Sequence, residues 1–287
     1  CLKDPRWRVQ VAALKAVSRL NIKKSGKQVL KMLRSDDEFV RINAVMTTAQ
    51  LKIPEARDIL QKLYMEHDDM KAPVISAFIR MKLNIPKTFL DELRKSSSST
   101  ILQVLQTLED ADNLGYPVAK ALINHHDQDV ACESVKQVAS AAAGPNSRFV
   151  ELNRILQGHS KPQIISLLKN FSIEKKRLKQ ISLLKENKSK DKDTHSNTAD
   201  KVEISELLAA FHITEPLKAE LNIENYSDEQ IKQAYDSFLT ELKKLNRESD
   251  DKEIKFHSAL NIQKLGDSSV NEYLIKTFNK LTNEKKS

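Results

Sequence analysis

Two short clusters in this chain hold the residue types that bind metals or move protons. They are Met65-Glu66-His67-Asp68-Asp69-Met70 and His125-His126-Asp127-Gln128-Asp129. A catalytic or structural zinc site needs three or four convergent ligands. Neither cluster comes with a Cys-x-x-Cys pair or a His-Glu-x-x-His helix that would complete one. Aspartates placed just before an apolar-periodic run are also wanted there as caps, because their carboxylates accept from the unpaired N–H groups of a helix start. Cys132 sits in an alanine-rich segment with no activating base beside it and reads as a small core residue. The five glycines, at 26, 115, 144, 158 and 266, are too far apart to build a phosphate-cradling loop. No catalytic residue, metal or cofactor is therefore assigned, and the chain reads as a non-enzyme.

Charge is the more informative chemistry. From Cys1 to Arg34 the chain carries ten Lys or Arg against the single acid Asp4. Arg6, Arg8, Lys15, Arg19, Lys23, Lys24 and Lys27 form the candidate partner-binding basic face. Residues three, four and seven apart share one side of a helix, so Arg8, Lys15 and Arg19 align while Val9, Ala13 and Val17 point inward. Such a field attracts an acidic protein partner, and an anionic lipid surface or nucleic acid answers to the same sign. The chain as a whole is +8, whereas residues 202–287 hold 12 basic against 16 acidic groups, so docking of its own acidic part is a further use. The lone Trp7 packs on an upstream helix or stacks on a ligand.

The elements that must carry this face repeat. Leu20-Asn21-Ile22-Lys23, Leu51-Lys52-Ile53-Pro54 and Leu83-Asn84-Ile85-Pro86 begin about 31 residues apart, and Leu114-Gly115-Tyr116-Pro117 follows. Pro54, Pro86, Pro117 and Pro145 mark the starts of first helices, where a missing N–H costs nothing. Asp36-Asp37, Asp68-Asp69, Ser96 to Thr100 and Asp127 to Asp129 mark the turns before second helices. Past each marker the apolar spacing is helical, as in Val40, Ala44, Thr48 and Leu51. Two short helices cannot bury their faces alone, so neighbours must stack. Asp4-Pro5 followed by Val9, and Asp36 followed by Val40-Arg41, resemble HEAT repeats over roughly residues 2 to 170. In the third copy Lys71-Ala72 stands where valine-arginine is expected. That resemblance implies an all-α, HEAT-like helical-repeat solenoid used as a protein-protein interaction scaffold or adaptor. The alternative is a nucleic-acid-binding helical-repeat protein, similar in architecture to the alkylpurine DNA glycosylases but with no matching catalytic aspartate.

From Lys185 to Lys201 the chain is polar and almost without apolar residues, the composition of a flexible linker. The expected organisation is a repeat array over 1–184, a linker over 185–201 and a small C-terminal helical domain over 202–287. Helices are predicted from Val202 to Phe211 and near 228–245, 252–265 and 269–282. Ser227 to Tyr235 and Lys255 to Leu260, ending Leu265-Gly266-Asp267, resemble the second and third helices of a J domain. Its His-Pro-Asp signature is replaced by Asn246-Arg247-Glu248-Ser249-Asp250, so the resemblance implies the fold without the chaperone-stimulating activity. Two cysteines favour a reducing, cytoplasmic compartment, and no stretch approaches the length of a transmembrane segment. The opening without methionine is read as a fragment, with any tether upstream, or with Cys1 as a lipid-bearing residue.

Overall fold

The structure, a computed structural model, describes residues 1–108, 115–140, 148–173 and 227–284. Within them the chain is all-α, with no strand, and it divides into two compact units, 1–130 and 131–287. The expected linker over 185–201, the helix from Val202 to Phe211, and Pro145 lie outside the described residues.

The first unit is a series of paired helices separated at the turn markers. They are α1 (Trp7–Arg19), α2 (Gly26–Met32), α3 (Glu38–Leu51), α4 (Arg57–Glu66), α5 (Lys71–Arg80), α6 (Lys87–Leu93), α7 (Ser98–Gln106) and α8 (Tyr116–Leu122). The second helices α1, α3, α5 and α7 stack in sequence order, each on the next. The starts of α3 and α7 are capped by the residues that marked them. Asp37 accepts from the Val40 amide at 3.0 Å, and Ser97 from the Thr100 amide at 3.3 Å. Pro54 opens a 3-10 turn that runs into α4, Pro86 stands immediately before α6, and Pro117 lies in the first turn of α8.

Each of the first three second helices ends the same way. Asn21, Lys52 and Lys82 take left-handed backbone with φ of 50, 53 and 56°. In each, the following amide reaches back five residues, Ile22 to Val17, Ile53 to Thr48 and Leu83 to Phe78, which satisfies carbonyls a helix end leaves open. The backbone period therefore aligns Ile22, Ile53 and Leu83. The similarity of Leu83-Asn84-Ile85-Pro86 to the earlier motifs runs two residues late, because Asn84 and Ile85 are extra chain before the proline.

The valine-arginine position is displaced in the same way. Arg41 Nη1 donates to the Ser35 and Asp36 carbonyls, both at 2.9 Å, clamping the turn before its own helix. Gln10 Nε2 does this in the first copy, reaching the Asp4 carbonyl at 2.6 Å. In the third copy the clamp is Lys71, bonded to Asp68 and to Ser96, each at 2.6 Å, behind a buried Met70. So Met70-Lys71, and not Lys71-Ala72, stands for valine-arginine. The core beneath includes Leu14, Val40, Val45, Leu60, Ile75 and Phe78. Tyr64 stacks on Phe89 with ring centroids 3.8 Å apart and gives its hydroxyl hydrogen to the Phe89 carbonyl at 2.9 Å.

The second unit holds α9 (Gln128–Ser140), which begins at the division, with α10 (Arg148–Gly158), α11 (Lys161–Asn170), α12 (Asp228–Glu248), α13 (Lys252–Lys264) and α14 (Asn271–Glu284). The last three fall where the spacing places them. Ser227 and Gln230 form a capping box at the start of α12. Helix α12 packs on α10, and α13 on α11. Phe149, Phe171 and Phe238 meet at centroid separations of 5.3 to 6.5 Å, with Tyr235 edge-on to Phe149 at 5.2 Å. Asn261 donates to the Leu168 carbonyl at 2.7 Å and Lys264 to that of Phe171 at 2.8 Å. Lys161–Asp251 and Lys169–Glu253, each at 2.6 Å, rim the same contact.

Candidate functional site

The N-terminal basic face is built on α1 and on the 3-10 turn Lys23–Ser25 that leads into α2. Its one acid is spent at once. Asp4 accepts from the Arg6 amide at 2.9 Å and from Arg6 Nε and Nη2 at 3.0 Å each. That guanidinium holds the Asp4 carboxyl below the usual carboxylate range. Arg6 is thus engaged locally and takes no part in an open field. Arg8 lies over the Trp7 ring, 4.7 Å from its centroid, and Trp7 stacks on Phe39 of the next copy at 5.3 Å. Phe39 remains 57% exposed.

Arg8, Lys15 and Arg19 are all exposed and lie on one side of α1, since seven residues make nearly two turns and four make slightly more than one. Lys23, Lys24 and Lys27 are exposed where the chain enters α2. Among the described residues, none of these six cations has an ion-pair partner. The inward side differs from expectation. Leu14 and Val17 are buried, but Val9 and Ala13 are only half covered and Leu20 is 71% exposed. Periodicity marks a stripe as apolar without saying whether a neighbour covers it.

The His–Asp clusters have structural partners. Asp68 pairs with Lys71, and Asp69 with Arg41 at 3.7 Å. Asp127 accepts from the Asp129 and Val130 amides, capping α9. His125 Nδ1 accepts from the Asp127 amide at 3.1 Å, and burial lowers the pKa of that imidazole. Among the described residues no group of three or more His, Cys, Asp or Glu is placed to hold a metal ion. At the turn between α12 and α13, where a J domain carries its signature, Asn246 donates to the Lys255 carbonyl and Asp251 caps α13. No helix among the described residues is long and apolar enough to cross a membrane.

Phe39 was not legible as part of the face, because its position in the repeat is ordinarily a solvated one. Only its stacking on Trp7 sets it apart. No curated protein matches the chain. Residues 1–78, from α1 to within α5, match the family model for HEAT repeats.

Proposed function

We propose that the chain is a non-catalytic interaction scaffold whose basic N-terminal end binds an acidic protein partner. The observation that carries this reading is the set of six exposed cations, Arg8, Lys15, Arg19, Lys23, Lys24 and Lys27, without an ion-pair partner among the described residues. A field of one sign speeds encounter with an oppositely charged partner, and exposed charges contribute little to folding, so the cluster has more to offer association than stability. The scaffold role itself rests on the architecture of the HEAT-matched segment, which supports binding as a class of function and names no partner.

The test is the combined change of Arg8, Arg19, Lys23 and Lys24 to glutamate. Helical content by circular dichroism stays as in the parent, and recovery of the partner from the source cell is lost. A charge-reversed chain that folds and recovers the same proteins with the same salt sensitivity would refute the reading.

The nucleic-acid alternative draws on a different observation, the exposed Trp7–Phe39 stack with Arg8 over it, a surface on which unpaired bases can also stack. Binding of single-stranded oligonucleotide that falls steeply with salt and is lost on Trp7→Ala would favour it. For the J-like C-terminal hairpin the proposed role is packing and docking, without chaperone stimulation. A reducing, cytoplasmic setting fits cysteines that form no disulfide.

A further inference from the structure

The second helices of the first unit run parallel, because a first helix returns the chain between each pair. Their starts therefore lie on one edge of the unit and their ends on the other. Successive turns are neighbours on both edges: Arg41 meets Asp69 across the starts, and Gly26 lies against the Ile53 side chain across the ends. The two edges treat charge differently. At the starts, residues 33–41, 62–71 and 91–99 hold six Lys or Arg against eight Asp or Glu. Every ion pair within residues 1–99 lies at or beside a turn on this edge, from Asp4–Arg6 to Lys95–Glu92. At the ends, residues 19–27, 52–58 and 80–87 hold nine Lys or Arg against two acids, Glu55 and Asp58. All nine cations are exposed, and none has an ion-pair partner among the described residues. Helix dipoles do not account for the difference, since a helix end and a helix start meet at every turn on both edges and their opposite poles cancel. Lys52 and Lys82 hold left-handed turns that glycine adopts at less cost, so two of the cations stand where the backbone alone favours glycine.

We infer that the edge made by the helix ends is a track for an extended acidic segment of a protein partner, whose carboxylates meet Lys23 and Lys24, then Lys52, then Lys82 and Lys87. The spacing suits extended chain. Packed helices lie about 8–10 Å apart, and an extended strand covers that distance in about three residues at roughly 3.3 Å each. A carboxylate at every third residue therefore reaches successive turns. Glu55 and Asp58 at the middle turn favour such a segment over a nucleic acid, because a strand with a phosphate about every 3.4 Å would run against both. The three stretches also hold no aromatic ring on which a base could stack. Lys52, Arg80, Lys82 and Lys87 are flanked by repeats on both sides, so their exposure does not depend on the first residues of the chain. This deepens the scaffold reading and rests on it, extending the contact from the basic end along a whole edge.

The probe is a fluorescein-labelled peptide of roughly 12 residues, with glutamate at every third position and serine between, long enough to span about 40 Å when extended. A twin carries lysine for glutamate, and a single-stranded oligothymidine of equal length is the nucleic-acid arm. Anisotropy with the full chain is expected to show saturable binding of the glutamate peptide, none of its twin, and weaker binding of the oligonucleotide. Binding should fade as salt rises to about 1 M, where the screening length is about 3 Å. Changing Lys52, Arg80, Lys82 and Lys87 together to glutamine should weaken it about tenfold or more, since the local field is lost. Changing Lys31, Arg34, Lys62 and Lys95 to glutamine removes the same net charge from the other edge and should shift affinity by no more than about twofold. Circular dichroism of both variants is expected to match the parent. The proposal is overturned by no saturable binding, by equal affinity for the two peptides, by tighter binding of the oligonucleotide, or by equal losses in the two variants. If the chain with Arg8, Arg19, Lys23 and Lys24 reversed loses its cellular partner while the Lys52, Arg80, Lys82 and Lys87 variant keeps it, the basic end stands and the track does not.

Discussion

Asn21, Lys52 and Lys82 carry side chains where a left-handed turn would ordinarily use glycine. The conformation costs an L-residue roughly 1–2 kcal/mol, partly offset in a glycine variant by the greater freedom glycine has when unfolded. Lys52→Gly and Lys82→Gly are each expected to raise the unfolding free energy by about 0.5–1 kcal/mol, and to add, since they lie in different turns. Denaturant midpoints check this, and a fall in either midpoint contradicts it. These turns were legible only in part. Leu20-Asn21-Ile22 and Leu51-Lys52-Ile53 announce a period, but nothing about lysine in a sequence says left-handed. The look-alike at Leu83 therefore stands two residues past the register of the true turn at Lys82. Burial of the clamp residue was hidden for a similar reason, since Lys71 and exposed lysines are the same letter. Its partners Asp68 and Ser96 give no separate signal, because both residue types also suit the turns before helices.

Among elements, the hairpin of α12 and α13 is bound into the second unit by the Phe149–Phe171–Phe238 cluster and by hydrogen bonds to the Leu168 and Phe171 carbonyls. Its helices were legible because apolar residues recur along them at helical spacing. Their packing on α10 and α11 was not, since periodicity shows a face and not its partner. The lysines of 185–201 offer trypsin its sites, and the proposal of a linker there gives the first cut. After that cut the two pieces are expected to co-elute on gel filtration, because separating them bares at least three buried aromatic rings, at about 1.5–3 kcal/mol each. Separate elution of two folded pieces would instead support independent domains over 1–184 and 202–287. The junction after α13 has its own pH signature. Lys243 at 2.6 Å and Ser269 hold the Asp267 carboxyl at about 2. An ordinary aspartate titrates near about 3.9. Because the folded value is the lower one, Asp267 contributes stability that is complete above about 4 and lost as pH falls toward about 2. Acid unfolding of Asp267→Asn should lack that component, and identical acid profiles for parent and variant would remove the assignment.

For the whole molecule the decisive quantity is the uneven placement of charge. Ten basic groups against one acid occupy the stretch from Cys1 to Arg34, so like charges crowd one end of the first unit. Exposed ion pairs elsewhere in that unit, such as Lys62–Glu66, are each worth about 0–1 kcal/mol and weaken with salt. Repulsion within the basic end weakens with salt as well, which stabilises. The two effects oppose, and position separates them: Trp7 is the only tryptophan and sits inside the cluster, stacked on Phe39, so its fluorescence reports unfolding at the crowded end. Raising ionic strength from about 0.01 M to about 0.15 M shortens the screening length from about 30 Å to about 8 Å. The urea midpoint followed through Trp7 is therefore expected to rise. Changing Arg8, Arg19, Lys23 and Lys24 to glutamate leaves six basic groups against five acidic ones in the same stretch. In that chain the low-salt midpoint should equal or exceed the parent's, and the rise with salt should shrink or vanish. A partner-binding surface that folding does not need behaves this way, because removing it relieves repulsion and breaks only the exposed contact of Arg8 with the Trp7 ring. A midpoint that drops on charge reversal would mean that these cations hold the first repeats together, and their exposure would then be no sign of a binding face.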